Sequence, residues 1–262
     1  MRLRDKVVLI TGASRGIGKQ LCLRFAQEGA SIVLGARTVE PSESPFPGTI
    51  HETAAEIRAL GAKALAVRCD LAIRADVERL CRSAIDEFGR VDILINNAAY
   101  FGPGHYDPFL SLTADQWETM IAVDLNAPVL ACRLLLPAMI ERGSGLIICM
   151  TSVAATHDVA PGGRGGISPG YPTAKAGLNR FVRALAVEIK EHPIPVVAVE
   201  PGFTMTERTG IIFPRNNMDF SKAHPMEVPV NAVAHLCTCA EPMKYSGQVI
   251  IAADFAREHG LV

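Results

Sequence analysis

Seven short runs rich in aliphatic and β-branched residues recur along the chain: KVVLIT, SIVLGA, KALAVRC, VDILIN, GLIICMT, PVVAVE and QVIIAA. A longer stretch with helical spacing separates each from the next. Strands that alternate with helices in this way pair in parallel, because each crossover helix brings the chain back to start the next strand in the same direction. Residues 7–10 and 93–95 are apolar without interruption, the pattern of strands covered on both faces rather than on one. The expectation is one α/β domain, a doubly wound seven-stranded parallel sheet with helices on both faces, and 262 residues are enough for such a domain to bury its core. The proline-rich segment 40–48 (EPSESPFPG) reads as a long surface loop, since the alternation resumes directly after it.

Net charge is −1, so the chain lacks the basic excess of a nucleic-acid binder and must catch anionic ligands locally. The seven cysteines are odd in number and sit mostly within apolar segments, which favours core thiols over disulfides. Cys237 and Cys239 lack a second ligand pair at zinc spacing, and no metal site is expected. The basic start MRLRDK and the apolar run after it stop at Gly12, as a first strand would, and no apolar stretch reaches the roughly 20 residues of a membrane span. A cytoplasmic protein without membrane partners is expected.

Immediately after the first run comes TGASRGIG (11–18), with glycines at 12, 16 and 18. Glycine after a strand permits a tight turn and close backbone approach, and the helix that follows presents its N-terminal amides to a pyrophosphate. The second run ends at Arg37, where a binder of NAD would carry an acid for the ribose 2′-hydroxyl. Arg37, helped by Arg15, suits a 2′-phosphate instead, so NADP(H) is preferred over NAD(H), which stays possible.

Far downstream, Tyr171 precedes Lys175 by one helical turn in YPTAK. A phenol titrates near 10, and a lysine on the same helical face would lower that value and ready it for proton transfer. Taken in order, TGASRGIG, Asp70, NNAA (96–99), Ser152, YPTAK and PGFTMT (201–206) resemble the short-chain dehydrogenase/reductase family over almost the whole chain. The resemblance implies a single Rossmann-fold domain and hydride exchange between NAD(P)(H) and a carbonyl or secondary alcohol. Tyr171 would be the acid/base, Ser152 would orient the substrate oxygen, and Lys175 would hold the nicotinamide ribose. It also implies that Gly12, Ser14, Arg15, Gly16, Ile17, Gly18, Arg37, Asp70, Leu71, Asn97, Ala98, Pro201, Gly202, Phe203, Thr204 and Thr206 bind the cofactor along with Tyr171 and Lys175. A loop containing PGTI (47–50) before HETAAEI is similar to the hydroxysteroid-dehydrogenase-like branch.

Two positions depart from that family's pattern. Ser152 lies 19 residues before Tyr171, further than the family spacing, so 157–168 contains an insertion; within it Ser168 is a weaker rival for the serine role. The family's catalytic Asn on the fourth helix is replaced by Asp124, whose charge would act near Lys175, while Asn126 faces about 200° away. Segments 100–112, 157–168 and 203–226 are expected to border a pocket made apolar by residues such as Tyr100, Phe101, Tyr106, Phe203, Phe213, Met218 and Phe220, suited to a hydrophobic small molecule. His105 and His157 read as solvated loop residues. Helices over 114–142 and 169–191 carry more apolar surface than one sheet face needs, and the resemblance implies a homotetramer or homodimer through them. Two alternatives stand beside the leading one: an NAD-dependent alcohol dehydrogenase, and a nucleotide-binding regulator or scaffold of the same fold without turnover.

Overall fold

The computed structural model describes residues 1–163, 166–215, 221 and 223–262. All seven expected strands form: β1 (Val7–Thr11), β2 (Ser31–Ala36), β3 (Ala64–Arg68), β4 (Ile93–Asn96), β5 (Leu146–Met150), β6 (Val196–Glu200) and β7 (Val249–Ile251). They make one parallel sheet in the order β3-β2-β1-β4-β5-β6-β7. The winding reverses between β1 and β4, so the loops leaving those strands part and open a crevice beyond their carboxyl ends.

Helices α1 (Gly16–Gln27), α2 (Ile50–Ala59), α3 (Arg74–Phe88), α4 (Ala114–Ile121), α5 (Ala127–Arg142), α6 (Gly170–Glu188), α7 (Thr209–Arg215), α8 (Glu227–Thr238) and α9 (Ala252–Glu258) connect the strands. Leu21 and Phe25 of α1, Ile57 of α2, Val233 of α8 and Phe255 of α9 pack with Val8, Ile10, Ile32 and Leu34 on one side of the sheet. Leu80 of α3, Leu135 and Met139 of α5, and Leu178 and Val182 of α6 pack with Leu9, Val33, Leu94 and Ile147 on the other. Successive strand residues therefore face opposite cores, which is why the sequence runs are continuously apolar. Each such side chain contributes about 1.5–3 kcal/mol on burial. Thr49 and Glu52 start α2 by exchanging reciprocal side-chain to backbone hydrogen bonds of 2.8 and 3.1 Å, and Thr113 with Gln116 does the same for α4.

A π-turn over Ala122–Asn126 joins α4 to α5. The continuous helix Ala114–Arg142 has 29 residues and a mean hydropathy of 1.5 in its most apolar window, long and apolar enough by composition to cross a membrane. This corrects the expectation that no such stretch exists: single polar residues interrupt the sequence run, yet an 18-residue window of the helix stays apolar on average. In the fold the helix packs against α3 and α6. The cysteines are free, five buried and two half-buried, and no cluster of metal-ligating side chains occurs among the described residues.

Candidate active site

β1 ends at Thr11 and the chain turns through Gly12, with φ of +70°, into α1. A Cβ on Gly12 would lie 2.8 Å from Ala98 Cα, and one on Gly18 would lie 2.3 Å from the Gly12 carbonyl oxygen. The glycines thus let the turn press against the loop after β4 and let α1 begin directly beneath it. Asn97 locks the same junction, its amide donating to the Thr11 carbonyl at 2.8 Å. The first residue before α1, Arg15, provides no side-chain cap for the amides of the first turn, the groups that an anion would seek. Across the crevice Glu207 Oε2 accepts from the Gly16 amide at 2.9 Å, a carboxylate on an amide that a phosphate would also seek.

The arginines of this end divide their work. Arg15 donates to the carbonyls of Pro47 at 2.8 Å, Gly48 at 2.7 Å and Phe46 at 3.3 Å, and to Thr38 Oγ1 at 3.3 Å. It ties the 40–48 loop to the glycine turn, so its expected part in binding a 2′-phosphate is limited by this tethering. Arg37 is exposed at the end of β2 and has no hydrogen bond or ion pair among the described residues. Asp70 caps its own turn through the Ala72 amide at 3.0 Å while facing the same cavity.

That cavity holds about 540 Å³. Gly12, Ser14, Arg15, Gly16, Ile17, Gly18, Arg37, Asp70, Leu71, Asn97, Ala98, Pro201, Gly202, Phe203, Thr204 and Thr206 all line it, together with Ser152, Tyr171 and Lys175. The glycine cradle, the start of α1 and the free guanidinium at the β2 end fit a nicotinamide dinucleotide lying across the strand ends.

At the opposite end, Ser152 follows β5 and Tyr171 begins α6. Ser152 Oγ accepts from the Ala154 amide at 3.2 Å and lines the cavity beside Tyr171, where its hydroxyl acts to lower the phenol's pKa. Lys175, only 2% exposed, places its Nζ 5.6 Å from the Tyr171 ring centre, donates to the Met150 carbonyl at 3.1 Å and meets Asp124 Oδ1 at 3.3 Å. Asp124 sits in the π-turn, wholly buried, and also accepts from the Tyr100 amide at 3.2 Å. Burial pushes the Asp124 carboxyl up, while Lys175 and the Tyr100 amide oppose that shift. Tyr171 departs from expectation: burial first, and then the Asp124 carboxylate, drive its phenol above the usual range, with the Ser152 hydroxyl acting against them. The lysine's charge is already engaged by Asp124. Asn126 is exposed and takes no part.

The insertion forms a wall. Ser168 donates its amide to the His105 carbonyl at 2.8 Å and Gly163 donates to the Tyr106 carbonyl at 2.7 Å, stitching the insertion to the 100–112 loop. Ser168 Oγ points to Met120 Sδ at 3.5 Å and is buried there, so Ser152 alone of the two serines meets the tyrosine. His157 is exposed as expected, but His105 is only 1% exposed. Its ring packs edge-on to Tyr171 at 4.9 Å and against Phe101 at 4.7 Å, and burial holds it neutral by lowering its pKa to about 4. A solvated histidine was expected because the segment is a loop; the insertion covers it. Phe213, Met218 and Phe220 lie outside the described side chains. Sequence reasoning missed Glu207 and Arg208, whose only signal was a charged pair directly after PGFTMT.

A family model described as short chain dehydrogenase matches residues 6–217. Among curated proteins the chain is 35% identical to 1,6-dihydroxycyclohexa-2,4-diene-1-carboxylate dehydrogenase of Acinetobacter baylyi, over 85% of this chain and 77% of that protein. It is 29% identical to 7alpha-hydroxysteroid dehydrogenase of Escherichia coli, over 95% and 93% of the two chains. Among solved structures, a metagenomic short-chain oxidoreductase in complex with NADP superposes with a TM-score of 0.77 at 30% identity, covering 96% of this chain and 98% of that one. The chain is a member of the short-chain dehydrogenase/reductase family, NAD(P)-dependent oxidoreductases acting on CH–OH groups.

Proposed function

We propose that the protein is an NADP(H)-dependent carbonyl reductase or alcohol dehydrogenase for a hydrophobic small molecule, with Tyr171 as acid/base. The observation that carries this reading is the assembly of Tyr171, Ser152 and Lys175 at one end of a cavity whose other end is the glycine turn. When bound, the nicotinamide supplies or accepts the hydride. Tyr171 gives its proton to the carbonyl oxygen in reduction and takes one from the alcohol in oxidation. Ser152 orients that oxygen beside the phenol. Lys175 has three donors, of which the Met150 carbonyl and Asp124 engage two, leaving one for the ribose hydroxyls. Asp124 acts through Lys175 as a positioning residue. The walls contributed by Phe101, Tyr106, Val159 and Ile167 exclude water and favour an apolar substrate body.

The preference for NADP(H) rests on Arg37, free and exposed where an NAD-binding chain would carry an acid. The NADP complex of the metagenomic relative accords with it. Assembly into a dimer or tetramer through α5 and α6 is part of the same reading.

The test is parallel fluorescence titration with NADPH and NADH, with Arg37→Ala as control, followed by a carbonyl screen with wild type and Tyr171→Phe. Tighter NADPH binding that Arg37→Ala abolishes, and a loss of turnover of about 10²–10⁴-fold in Tyr171→Phe with cofactor binding intact, are the expected results. Equal binding of NADH removes the NADP assignment, and unchanged turnover in Tyr171→Phe removes the acid/base role.

A further inference from the structure

Arg208 follows the PGFTMT segment and faces the cavity, and its surroundings do not satisfy it. Its guanidinium carbon lies 5.0 Å from the ring centre of Phe46 and 5.0 Å from that of Phe101. Its Nε is buried with no hydrogen-bond partner, and no carboxylate among the described residues pairs with it. Burial first, and then the charges of Arg15 and Arg37, lower its pKa to about 10 against an opposing effect of Tyr106, so it stays cationic at neutral pH. A guanidinium between two aromatic faces keeps its edge free, and the edge is where it forms paired bonds to a carboxylate. A buried cation near like charges is costly unless an anion completes it.

Two anions can enter this cavity: a phosphate of the cofactor or an acidic group on the substrate. The substrate side is favoured by what Arg208 touches. Phe101, stacked on it, is also 6.2 Å from the Tyr171 ring, and Arg208 acts electrostatically on Tyr106 and His105, both in the wall around Tyr171. The phosphates, in contrast, have the glycine turn, the start of α1 and Arg37.

We propose that Arg208 is the receptor for a carboxylate carried by the substrate, so that the preferred substrates are hydrophobic oxo acids in reduction and hydroxy acids in oxidation. This rests on the oxidoreductase reading above and deepens it. The acid group is held beside Phe101 while the carbonyl meets Tyr171 and Ser152, and the apolar body spans the space between them. In reduction the hydride goes to the carbonyl carbon and the Tyr171 proton to its oxygen; the carboxylate is unchanged. Arg208 contributes binding and register rather than chemistry.

A matched pair of probes separates the possibilities: 4-acetylbenzoate and 4-methylacetophenone differ in charge at nearly equal size. Wild type, Arg208→Lys and Arg208→Gln are compared for reduction of each by NADPH and for the Kd of NADPH alone. The expected result is a wild-type preference for the acid of about tenfold or more, lost in Arg208→Gln mainly through KM and partly kept in Arg208→Lys. NADPH affinity and the rate with the neutral ketone should stay within about twofold, which also shows that the variant is folded. A weakened NADPH Kd with the acid preference intact overturns the proposal and assigns Arg208 to a cofactor phosphate. If wild type reduces neither ketone, calorimetry of 4-acetylbenzoate on the NADPH-loaded protein decides separately from turnover. Binding that Arg208→Gln abolishes supports the receptor even where the reaction is wrong, and no binding to wild type overturns it.

Discussion

Asp124 and Lys175 are both out of solvent and 3.3 Å apart, so the lysine that would otherwise polarise Tyr171 shares its charge with a carboxylate. The phenol is raised by burial and by Asp124, and a raised phenol is protonated across neutral pH. Reduction, which needs the protonated form, should therefore hold its rate into alkaline solution, whereas oxidation should rise as pH climbs toward the phenol's pKa. Asp124→Asn removes a negative charge that raises Tyr171 and keeps an acceptor for the Tyr100 amide, so the rising limb of kcat/KM for oxidation should move to lower pH. An unmoved limb eliminates the electrostatic role. Asp124→Ala leaves Lys175 buried and unpaired and should cost about 3–5 kcal/mol of stability, read as a fall in denaturant midpoint. Tyr171 and Lys175 could be paired from their i, i+4 spacing, whereas Ser152 and Asp124 were pointed to only by the family resemblance, at positions that depart from its pattern. His105 was not legible, because its burial depends on a segment some 60 residues away folding over it. The sign of the Tyr171 shift was missed for a related reason: desolvation is a property of the packed site, not of the i, i+4 pair.

Three elements interlock over the crevice: the glycine turn, the 40–48 loop and the segment after β6. Arg15 holds the loop by its carbonyls, Phe46 of that loop lies against Arg208, and Glu207 reaches back to the Gly16 amide. Arg15→Ala should free the loop, with faster amide exchange in 38–50 and a loss of about 1–2 kcal/mol of global stability. Exchange that is unchanged there refutes the tether. Glu207 competes for an amide at the start of α1, where negative charge is favoured by the helix dipole. Glu207→Gln should then tighten NADPH binding severalfold, equivalent to about 1 kcal/mol, with a smaller salt dependence than wild type. Equal or weaker binding places Glu207 among the groups that support the cofactor instead. Strands and the proline-rich loop could be read from sequence, since parallel buried strands and turn residues leave local patterns. The clasp could not, because its contacts join residues up to 191 apart through single hydrogen bonds.

At the scale of the whole molecule, the helices on the α5 and α6 side of the sheet carry apolar residues outward as well as inward. Their inner residues, Leu135, Met139, Leu178 and Val182, complete the core. Outward, Leu134 on α5 is 40% exposed and Val187 on α6 is 71% exposed, with Leu130, Leu136, Phe181 and Leu185 only partly covered. Such a helix can sit in a membrane or against another copy of itself, and 44% of the most apolar window of Ala114–Arg142 is buried within the chain. A symmetric dimer uses each patch twice, so one substitution acts at two places per interface. Light scattering after size exclusion should give a dimer or tetramer for wild type at micromolar concentration, and Leu134→Arg combined with Val187→Arg should yield monomers that still bind NADPH. Because the cofactor crevice opens at the strand ends rather than across these helices, NADPH affinity should survive dissociation, while stability becomes independent of protein concentration. A wild type that is already monomeric, or a double variant that keeps its assembly, rejects α5 and α6 as the interface.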